Sequence, residues 1–421
     1  MKLAKKLVLG MLEGLESGSL ELVCPHEAYN FGTSPQAPDT PLHAIIAVHH
    51  ERFFERALFG GDIGLGESYM QGEWSSPDLV AVIRVAIRNL SRLEQGNRLF
   101  TLLRRLANVV QHRLRENSIP GSRQNIHHHY DLGNEFYKLF LDPSLAYSCA
   151  YFKREHDTLA QAQFEKFDRI CRKLRLSPQD HLLEIGTGWG GFSIHAATRF
   201  GCRITTTTIS QEQHDHAAAW FSETGLSSGS DPQIRLLCED YRRLEGRYDK
   251  IVSIEMFEAV GLKQYDAYFA ACDRLLKSPG TMLLQTITMN EHTFPHYIRS
   301  CDWIQKYIFP GAELASLIEI QRSLTRSTGM SLYHAEDIGS HYAQTLKLWR
   351  ANFLDRLSEV RALGFDEVFI RMWDYYLAYC EGAFRERHIG DFQLLLAKKL
   401  HAPLMAEPWT SGSSLEARQQ N

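Results

Sequence analysis

The sequence predicts an α/β fold: a doubly wound, mostly parallel sheet, accompanied by a smaller N-terminal domain that is mainly helical or mixed. Three observations predict it. Beyond residue 158, short apolar runs alternate with segments of helical periodicity, the pattern of a parallel sheet covered on both faces. A glycine-rich turn, Gly186-Thr187-Gly188-Trp189-Gly190-Gly191, follows the first of these runs and leads into a helical pattern. A polar stretch containing Pro120-Gly121 separates all of this from the N-terminal part of the chain.

The N-terminal domain is expected over residues 1–114. It mixes short apolar segments with turns such as Gly60-Gly61-Asp62-Ile63-Gly64-Leu65-Gly66-Glu67, then shows helical periodicity over 77–114. A linker at 115–125 leads to a domain over 126–400, and the tail at 401–421, rich in Pro, Ser and Gly, reads as disordered. Within the second domain Leu159, Phe164, Phe167, Ile170, Cys171 and Leu174 recur at helical spacing and predict a helix over 158–176. Strands are expected at 181–185, 203–209, 234–238, 250–254 and 282–287. Later strands at 331–334 and 392–397 surround helical patterns at 342–363 and 365–384 and would complete the sheet edge.

A chain of 421 residues exceeds the size at which one core stops growing, which favours two domains. Hydrophobic residues at 44% and charged residues at 23% describe an ordinary globular protein, and a net charge of −4 argues against a nucleic-acid partner. Eight cysteines form no CxxC pair and no metal-ligand spacing, which fits reduced thiols in the cytoplasm. The start, with Lys2, Lys5 and Lys6 before an apolar run, imitates a signal peptide, but Glu13 and Glu16 interrupt it and no cleavage site follows. No run reaches the length of a membrane-spanning helix, so a lipid substrate would be met by transient contact with the inner membrane surface.

In an open parallel sheet a ligand sits at the carboxyl ends of the strands, where glycine lets the backbone approach and a helix N-terminus offers free N–H groups. Gly186 and Gly188 are therefore candidate binding positions for a nucleotide-like ligand. The spacing differs from a dinucleotide fingerprint. The acid Glu184 before the loop and Trp189-Gly190 within it are features of class I methyltransferases, so the loop resembles an S-adenosylmethionine site. The next strand runs into Thr205-Thr206-Thr207-Thr208-Ile209-Ser210 instead of an acid that would grip ribose hydroxyls, and its threonines suit a strand by themselves.

Five separated segments, in order, resemble the cyclopropane fatty acid synthases and the related mycolic acid cyclopropane synthases. They are His128-His129-Tyr130-Asp131-Leu132-Gly133-Asn134-Glu135-Phe136-Tyr137, Tyr147-Ser148-Cys149-Ala150-Tyr151-Phe152, Thr208-Ile209-Ser210-Gln211-Glu212-Gln213, Phe257-Glu258-Ala259-Val260-Gly261 and Tyr307-Ile308-Phe309-Pro310-Gly311. The run from Gly66-Glu67-Ser68-Tyr69-Met70 to Trp74 resembles the N-terminal domain of the longer bacterial members. The resemblance implies a class I methyltransferase-like, Rossmann-type catalytic domain and S-adenosyl-L-methionine as methyl donor. It assigns Tyr147, Ser148, Gly186, Gly188, Thr208, Ile209, Gln213, Tyr241 and Arg242 to the donor pocket. It further implies an unsaturated phospholipid acyl chain as substrate, a homodimer and a peripheral membrane habit.

Adding a methyl cation equivalent to an alkene leaves a carbocation, and closing a cyclopropane ring then requires a base to remove a proton from the new methyl group. The resemblance implies that a bicarbonate or carbonate ion fills this role, held by the backbone N–H of Cys149 and of Ile287 and by Glu258 and Tyr342. Three positions depart from the family pattern. Gln285 stands where the familiar members carry His, Ala259 where Glu-His is common, and Glu255 where a small residue is usual. Gln can hydrogen-bond an anion but cannot gain charge. A fatty-acid methyltransferase making methyl- or methylene-branched chains would use the same cation, and a non-catalytic lipid-binding protein could keep the fold. The intact glycine loop argues against the latter. His127-His128-His129 lacks a partner at metal-ligand spacing, so no metal is expected. Arg84, Arg88, Arg92, Arg104 and Arg105 are candidates to face anionic headgroups, with a solvated charged face as the ordinary alternative.

Overall fold

The computed structural model describes residues 2–32, 42–95 and 132–399, and the chain divides into two compact bodies. One comprises Asn117–Glu291, Ala312–His341 and Asp391–Asn421; the other comprises Met1–Glu116, His292–Gly311 and Tyr342–Gly390. The expected linker at 115–125 and tail at 401–421 lie outside the described residues, as does His127-His128-His129. The division differs from a single cut along the chain, because 292–311 and 342–390 join the N-terminal body. The physical reason is core sharing: the helix Glu367–Arg385 buries Ile370, Trp373, Tyr375 and Leu377 and packs on the helices Arg52–Met70 and Leu79–Arg88. Amphipathic spacing announces such a helix without saying which core it joins.

The larger body carries the seven-stranded sheet. Its strands are β1 His181–Ile185, β2 Arg203–Thr207, β3 Ile234–Leu237, β4 Tyr248–Ile254, β5 Leu276–Met289, β6 Met330–Asp337 and β7 Ile389–Lys398, in the spatial order β6-β7-β5-β4-β1-β2-β3. β3 pairs with β2, β2 with β1, β1 with β4 and β4 with β5, all parallel, whereas β6 and β7 pair antiparallel. The order reverses between β1 and β4, which opens a crevice at their carboxyl ends.

Alternate residues of each strand feed opposite faces. Leu183, Ile251, Met282, Leu284 and Leu396 join one core with Tyr265, Phe269, Leu275 and Leu324, while Leu182, Val252, Leu283 and Leu395 join another with Phe167, Ile170, Phe192 and Phe221. This two-sided burial is why the strands read as unbroken apolar runs. The predicted helix at 158–176 is Leu159–Leu174, opened by a capping box in which the Thr158 side chain accepts from Gln161 N and the Gln161 side chain accepts from Thr158 N.

In the N-terminal body a four-stranded sheet orders Glu27–Gly32, Ser19–Cys24, His43–Val48 and Trp74–Ser75. The segment from Gly66 to Trp74 is its internal scaffold. A Cβ on Gly66 would lie 2.4 Å from Trp303 Nε1, so only glycine admits the indole. Glu67 accepts from Lys306 Nζ and Tyr307 Oη, each at 2.6 Å, and Tyr69 Oη donates to Asp374 at 2.6 Å. Ser68 Oγ donates to Glu73 at 2.7 Å, and Trp74 Nε1 donates to the Leu65 carbonyl at 3.1 Å. Arg84 and Arg88, candidates to face headgroups with a solvated charged face as the alternative, both pair with Glu386, and Arg92 pairs with Glu16. Arg104 and Arg105 lie outside the described residues. Among the described residues no helix is long and apolar enough to cross a membrane, and no group of His, Cys, Asp and Glu could hold a metal ion.

Candidate active site

The glycine loop leaves β1 at the switch point. Gly186, Gly188 and Gly190 have φ of 99°, 53° and 100°, a region that L side chains enter only with strain. Gly186 N and Thr187 N both donate to the Thr207 carbonyl at 3.0 Å, tying the loop to the end of β2. A Cβ on Gly190 would lie 2.6 Å from the Phe221 ring, whereas one on Gly188 would meet open space. Gly188 thus presents bare backbone where a ligand would rest. Below the loop, Glu184 is buried and accepts from Ser193 Oγ at 2.5 Å and Thr206 Oγ1 at 2.6 Å. Burial pushes its carboxyl up to about 7 against the opposing pull of these hydroxyls. The threonines of β2 therefore do more than favour a strand: Thr206 serves Glu184, and Thr207 Oγ1 donates to the Glu239 carbonyl.

The other residues expected in the donor pocket make the following contacts. Thr208 Oγ1 donates to Gln213 Oε1 at 3.1 Å, with Ile209 half-buried between them. Ser148 is buried and accepts from Lys166 Nζ at 2.6 Å, and the Tyr147 ring packs edge-on to Tyr137 at 5.4 Å. The Arg242 guanidinium is turned onto Asp240, with Nε–Oδ1 at 2.8 Å and Nη2–Oδ2 at 2.6 Å, while Tyr241 packs on Tyr268. Trp189 Nε1 donates to Asn134 Oδ1 at 2.7 Å and its ring lies 4.8 Å from Tyr137, so the segment Asn134–Lys138 is pinned to the glycine loop. Asn134 belongs to a motif legible in the sequence, but its partner could not be read there.

Beside the loop lies a cluster of carboxyls. The turn after β4 holds Glu255 and Glu258, and Asp391 enters from the start of β7. A Cβ on Gly186 would lie 3.0 Å from Met256 Cβ, so the turn that carries Glu255 and Glu258 lies against the glycine loop. Glu255 Oε1 accepts from Cys149 N at 2.7 Å and Gln285 Nε2 at 2.8 Å. Glu258 Oε1 accepts from Ile287 N at 2.6 Å and Thr286 Oγ1 at 3.0 Å. Gln285 Nε2 also donates to Asp391 Oδ2 at 2.9 Å. Burial, then the charge of Glu255, raises the Glu258 carboxyl to about 7; burial, then Glu255 and Glu258, raises Asp391 well above the carboxylate range. Burial likewise keeps the Cys149 thiol high, so its side chain is an inert neighbour and only its backbone N–H acts.

The Gln285 amide is oriented by a chain of donors. Lys173, buried, can only donate, and its Nζ gives a 2.7 Å bond to Gln393 Oε1. Gln393 Nε2 must then face Gln285 Oε1, at 3.0 Å, which leaves Gln285 Nε2 to face the acids.

Of the expected catalytic residues, Cys149, Glu258, Gln285 and Ile287 come together. Tyr342 falls in the other body, where its ring stacks on Phe384 at 4.5 Å. The donors expected to hold bicarbonate or carbonate have partners within the chain: the Cys149 and Ile287 N–H groups and the Gln285 amide all donate to its own carboxylates, a donor set that does not fit a further anion. Asp391, Gln393, Lys173 and Lys166 escaped sequence reasoning. The one signal for them is a charged or amide residue inside an otherwise apolar periodic stretch, as at Lys166 and Lys173.

The chain as a whole is similar to known proteins. The family profile described as "Mycolic acid cyclopropane synthetase" matches residues 118–394. The chain is 38% identical over 381 residues to the tuberculostearic acid methyltransferase UfaA1 of Mycobacterium tuberculosis, covering 88% of this chain and 87% of that one. It is 38% identical over 359 residues to the cyclopropane-fatty-acyl-phospholipid synthase of Escherichia coli strain K12, covering 84% and 88%. The solved structure of mycolic acid cyclopropane synthase CmaA1 complexed with SAH and CTAB superposes with a TM-score of 0.59 at 33% identity, over 66% of this chain and 98% of that one.

Proposed function

This chain belongs to the mycolic acid cyclopropane synthetase family, and from that premise we propose that it adds one carbon from S-adenosylmethionine to the cis double bond of an unsaturated phospholipid acyl chain, giving a cyclopropane. The coarser statement stands on its own: the fold is that of the class I methyltransferases, and the protein is an S-adenosylmethionine-dependent methyltransferase of the cyclopropane fatty acid family.

The observation that carries the finer reading is that the open glycine loop lies, at Gly186, against Met256 in the turn that carries Glu255 and Glu258. The bare backbone at Gly188 fits the donor, with Tyr147, Ser148, Thr208, Ile209, Gln213 and Tyr241 around it and Arg242 acting through Asp240. When bound, the donor supplies an electrophilic methyl group. The protein's own part is to position the alkene, to keep water from the cation and to provide a proton acceptor beside it. The carboxyl cluster is suited to the last two tasks, since negative charge there stabilises a cation as it develops.

A second reading has a specific observation behind it. Glu255 and Gln285 depart from the familiar anion site, and the chain matches the tuberculostearic acid methyltransferase over more of its length than the E. coli synthase. A methyl- or methylene-branched product would follow from the same cation by loss of a different proton. The test is to incubate the full chain with S-adenosylmethionine and vesicles of dioleoyl phospholipid, then record proton NMR of the recovered lipid. Upfield ring protons are expected; vinylidene or branched-methyl signals without them would replace the cyclopropane with the second reading.

Membrane contact belongs to the same proposal. The helix Lys2–Leu12 leaves Leu3 and Leu7 exposed at 71% and 39%, flanked by the exposed Lys2 and Lys6, an arrangement suited to an anionic bilayer surface. Vesicle sedimentation with and without this helix tests it.

A further inference from the structure

We propose that the carboxylate of Glu255 is the base that removes the proton from the transferred methyl group, so that the enzyme carries its own proton acceptor and needs no bicarbonate. The inference rests on the one-carbon transfer proposed above.

The backbone is the first observation. Glu255 adopts φ of 46°, a left-handed conformation that a small residue such as glycine takes more easily. A glutamate retained at such a position points to use of its side chain. Both ends of the residue are then fixed by the same neighbour: Glu255 N donates to the Gln285 carbonyl at 2.8 Å, and Gln285 Nε2 donates to Glu255 Oε1 at 2.8 Å. Cys149 N adds a second donor to Oε1 at 2.7 Å. Two N–H groups converging on one oxygen are what an anion at this position would receive, and here the anion is covalently part of the chain.

The surroundings disfavour any further anion. Glu258 and Asp391 face Glu255 from the turn after β4 and from β7, and their carboxyls are held up by burial and by its charge. Glu255 Oε1 meanwhile receives two N–H donors, from Cys149 and Gln285, the arrangement that favours negative charge on this carboxyl over its two neighbours. The Cys149 thiol is neutral, and Lys166 is the cation facing the cluster from the helix Leu159–Leu174, its own ammonium disfavoured by burial and supported by Glu255 and Asp391. Glu258 Oε2 and Asp391 Oδ1 are buried with no hydrogen-bond partner among the described residues, so the cluster has room for a proton to be passed on. Glu255 itself is half-buried and reachable, unlike Asp391.

The chemistry balances without another reactant. The alkene π pair forms a bond to the methyl carbon, the sulfur–methyl pair remains on sulfur, and the other alkene carbon becomes the cation. A lone pair of Glu255 takes one proton from the new methyl group, and the released C–H pair closes the third side of the ring. Glu255 is left as a carboxylic acid, sharing the Gln285 amide with Asp391.

The full-length enzyme is assayed with S-adenosylmethionine and dioleoyl phospholipid vesicles in carbon-dioxide-free buffer, with and without added bicarbonate. Wild-type turnover should change less than twofold. E255Q should lose about 100-fold or more in kcat, the range expected for a general base, while binding S-adenosylmethionine as wild type by calorimetry. E255G, which suits the backbone and frees both donors, should regain activity with added bicarbonate and should broaden the carbon-13 resonance of bicarbonate, which wild type leaves sharp. A wild type that requires bicarbonate overturns the proposal, and this arm needs no variant to fold. A folded E255Q that keeps its kcat overturns it as well. A wild type inactive on every unsaturated lipid would instead overturn the one-carbon transfer itself.

Discussion

The carboxylate of Glu255 accepts a 2.7 Å hydrogen bond from the backbone N–H of Cys149, 106 residues earlier in the chain. That single bond joins the segment before the helix Leu159–Leu174 to the turn after β4, and it fills the donor that the family resemblance reserves for a free anion. Gln285 and Ile287 complete the pattern, each facing an acid of the chain. The predictions below test the parts of this arrangement one at a time.

Gln393 acts through Gln285, so it is a positioning residue. In Gln393→Leu the Gln285 amide loses the partner that orients it and can rotate its oxygen toward the acids. A fall in kcat of about 10- to 100-fold is expected, with the KM for S-adenosylmethionine little changed. Equal changes in both constants, or none, would count against the relay.

Gly186→Ala places a methyl group 3.0 Å from Met256 Cβ at φ of 99°. Displacement of the loop should weaken S-adenosylmethionine binding at least tenfold by calorimetry, through a strain of about 1–3 kcal/mol. Gly188→Ala bears the backbone strain of φ 53° but meets open space, so a clash is added only when ligand is bound. The contrast shows in the apo proteins, where Gly186→Ala should melt lower than Gly188→Ala.

Glu184 makes stability depend on pH. Its folded carboxyl titrates at about 7 against an ordinary value of 4.5, so the folded state holds a proton that the unfolded chain has released. Stability contributed by this group is full below about pH 4.5 and is lost as pH rises to about 7. Glu258 has the same sign and window, and Glu184→Gln should therefore reduce the slope between pH 5 and 7 without abolishing it. Urea unfolding at several pH values measures the slope; an unchanged slope would refute the assignment.

Asn134→Leu removes the acceptor of Trp189 Nε1 beside the glycine loop. A loss of about 1–3 kcal/mol in unfolding free energy is expected, the usual cost of stranding a buried donor. Weaker donor binding should accompany it, because the loop loses its anchor.

Arg84→Ala with Arg88→Ala should leave vesicle binding unchanged, since both guanidinium groups are engaged by Glu386. Lys2→Glu with Lys6→Glu should weaken sedimentation with anionic vesicles, more so at low salt. Loss of binding in the arginine pair would return the headgroup role to that helix.

Much of the fold was legible in local spacing. The run His181–Ile185 and the glycines after it are adjacent in sequence, so strand, turn and ligand-facing backbone could be read together. The helix Leu159–Leu174 announced itself by its apolar spacing and its start at Thr158. The helical pattern before Phe384 was equally plain, yet its membership in the N-terminal body was not, because an apolar face fits any core.

The sequence by itself determined the sheet, the glycine loop and the residue types available for chemistry, because each depends on neighbours a few positions apart. Only the tertiary structure decided which donor meets which acid. Strand order brings Glu255 beside Gln285, carries Asp391 to the same Gln285 from 106 residues away, and sets Lys173 to orient the amide between them. A hydrogen bond needs its partners within about 3 Å and aligned, and no spacing along a chain encodes that convergence.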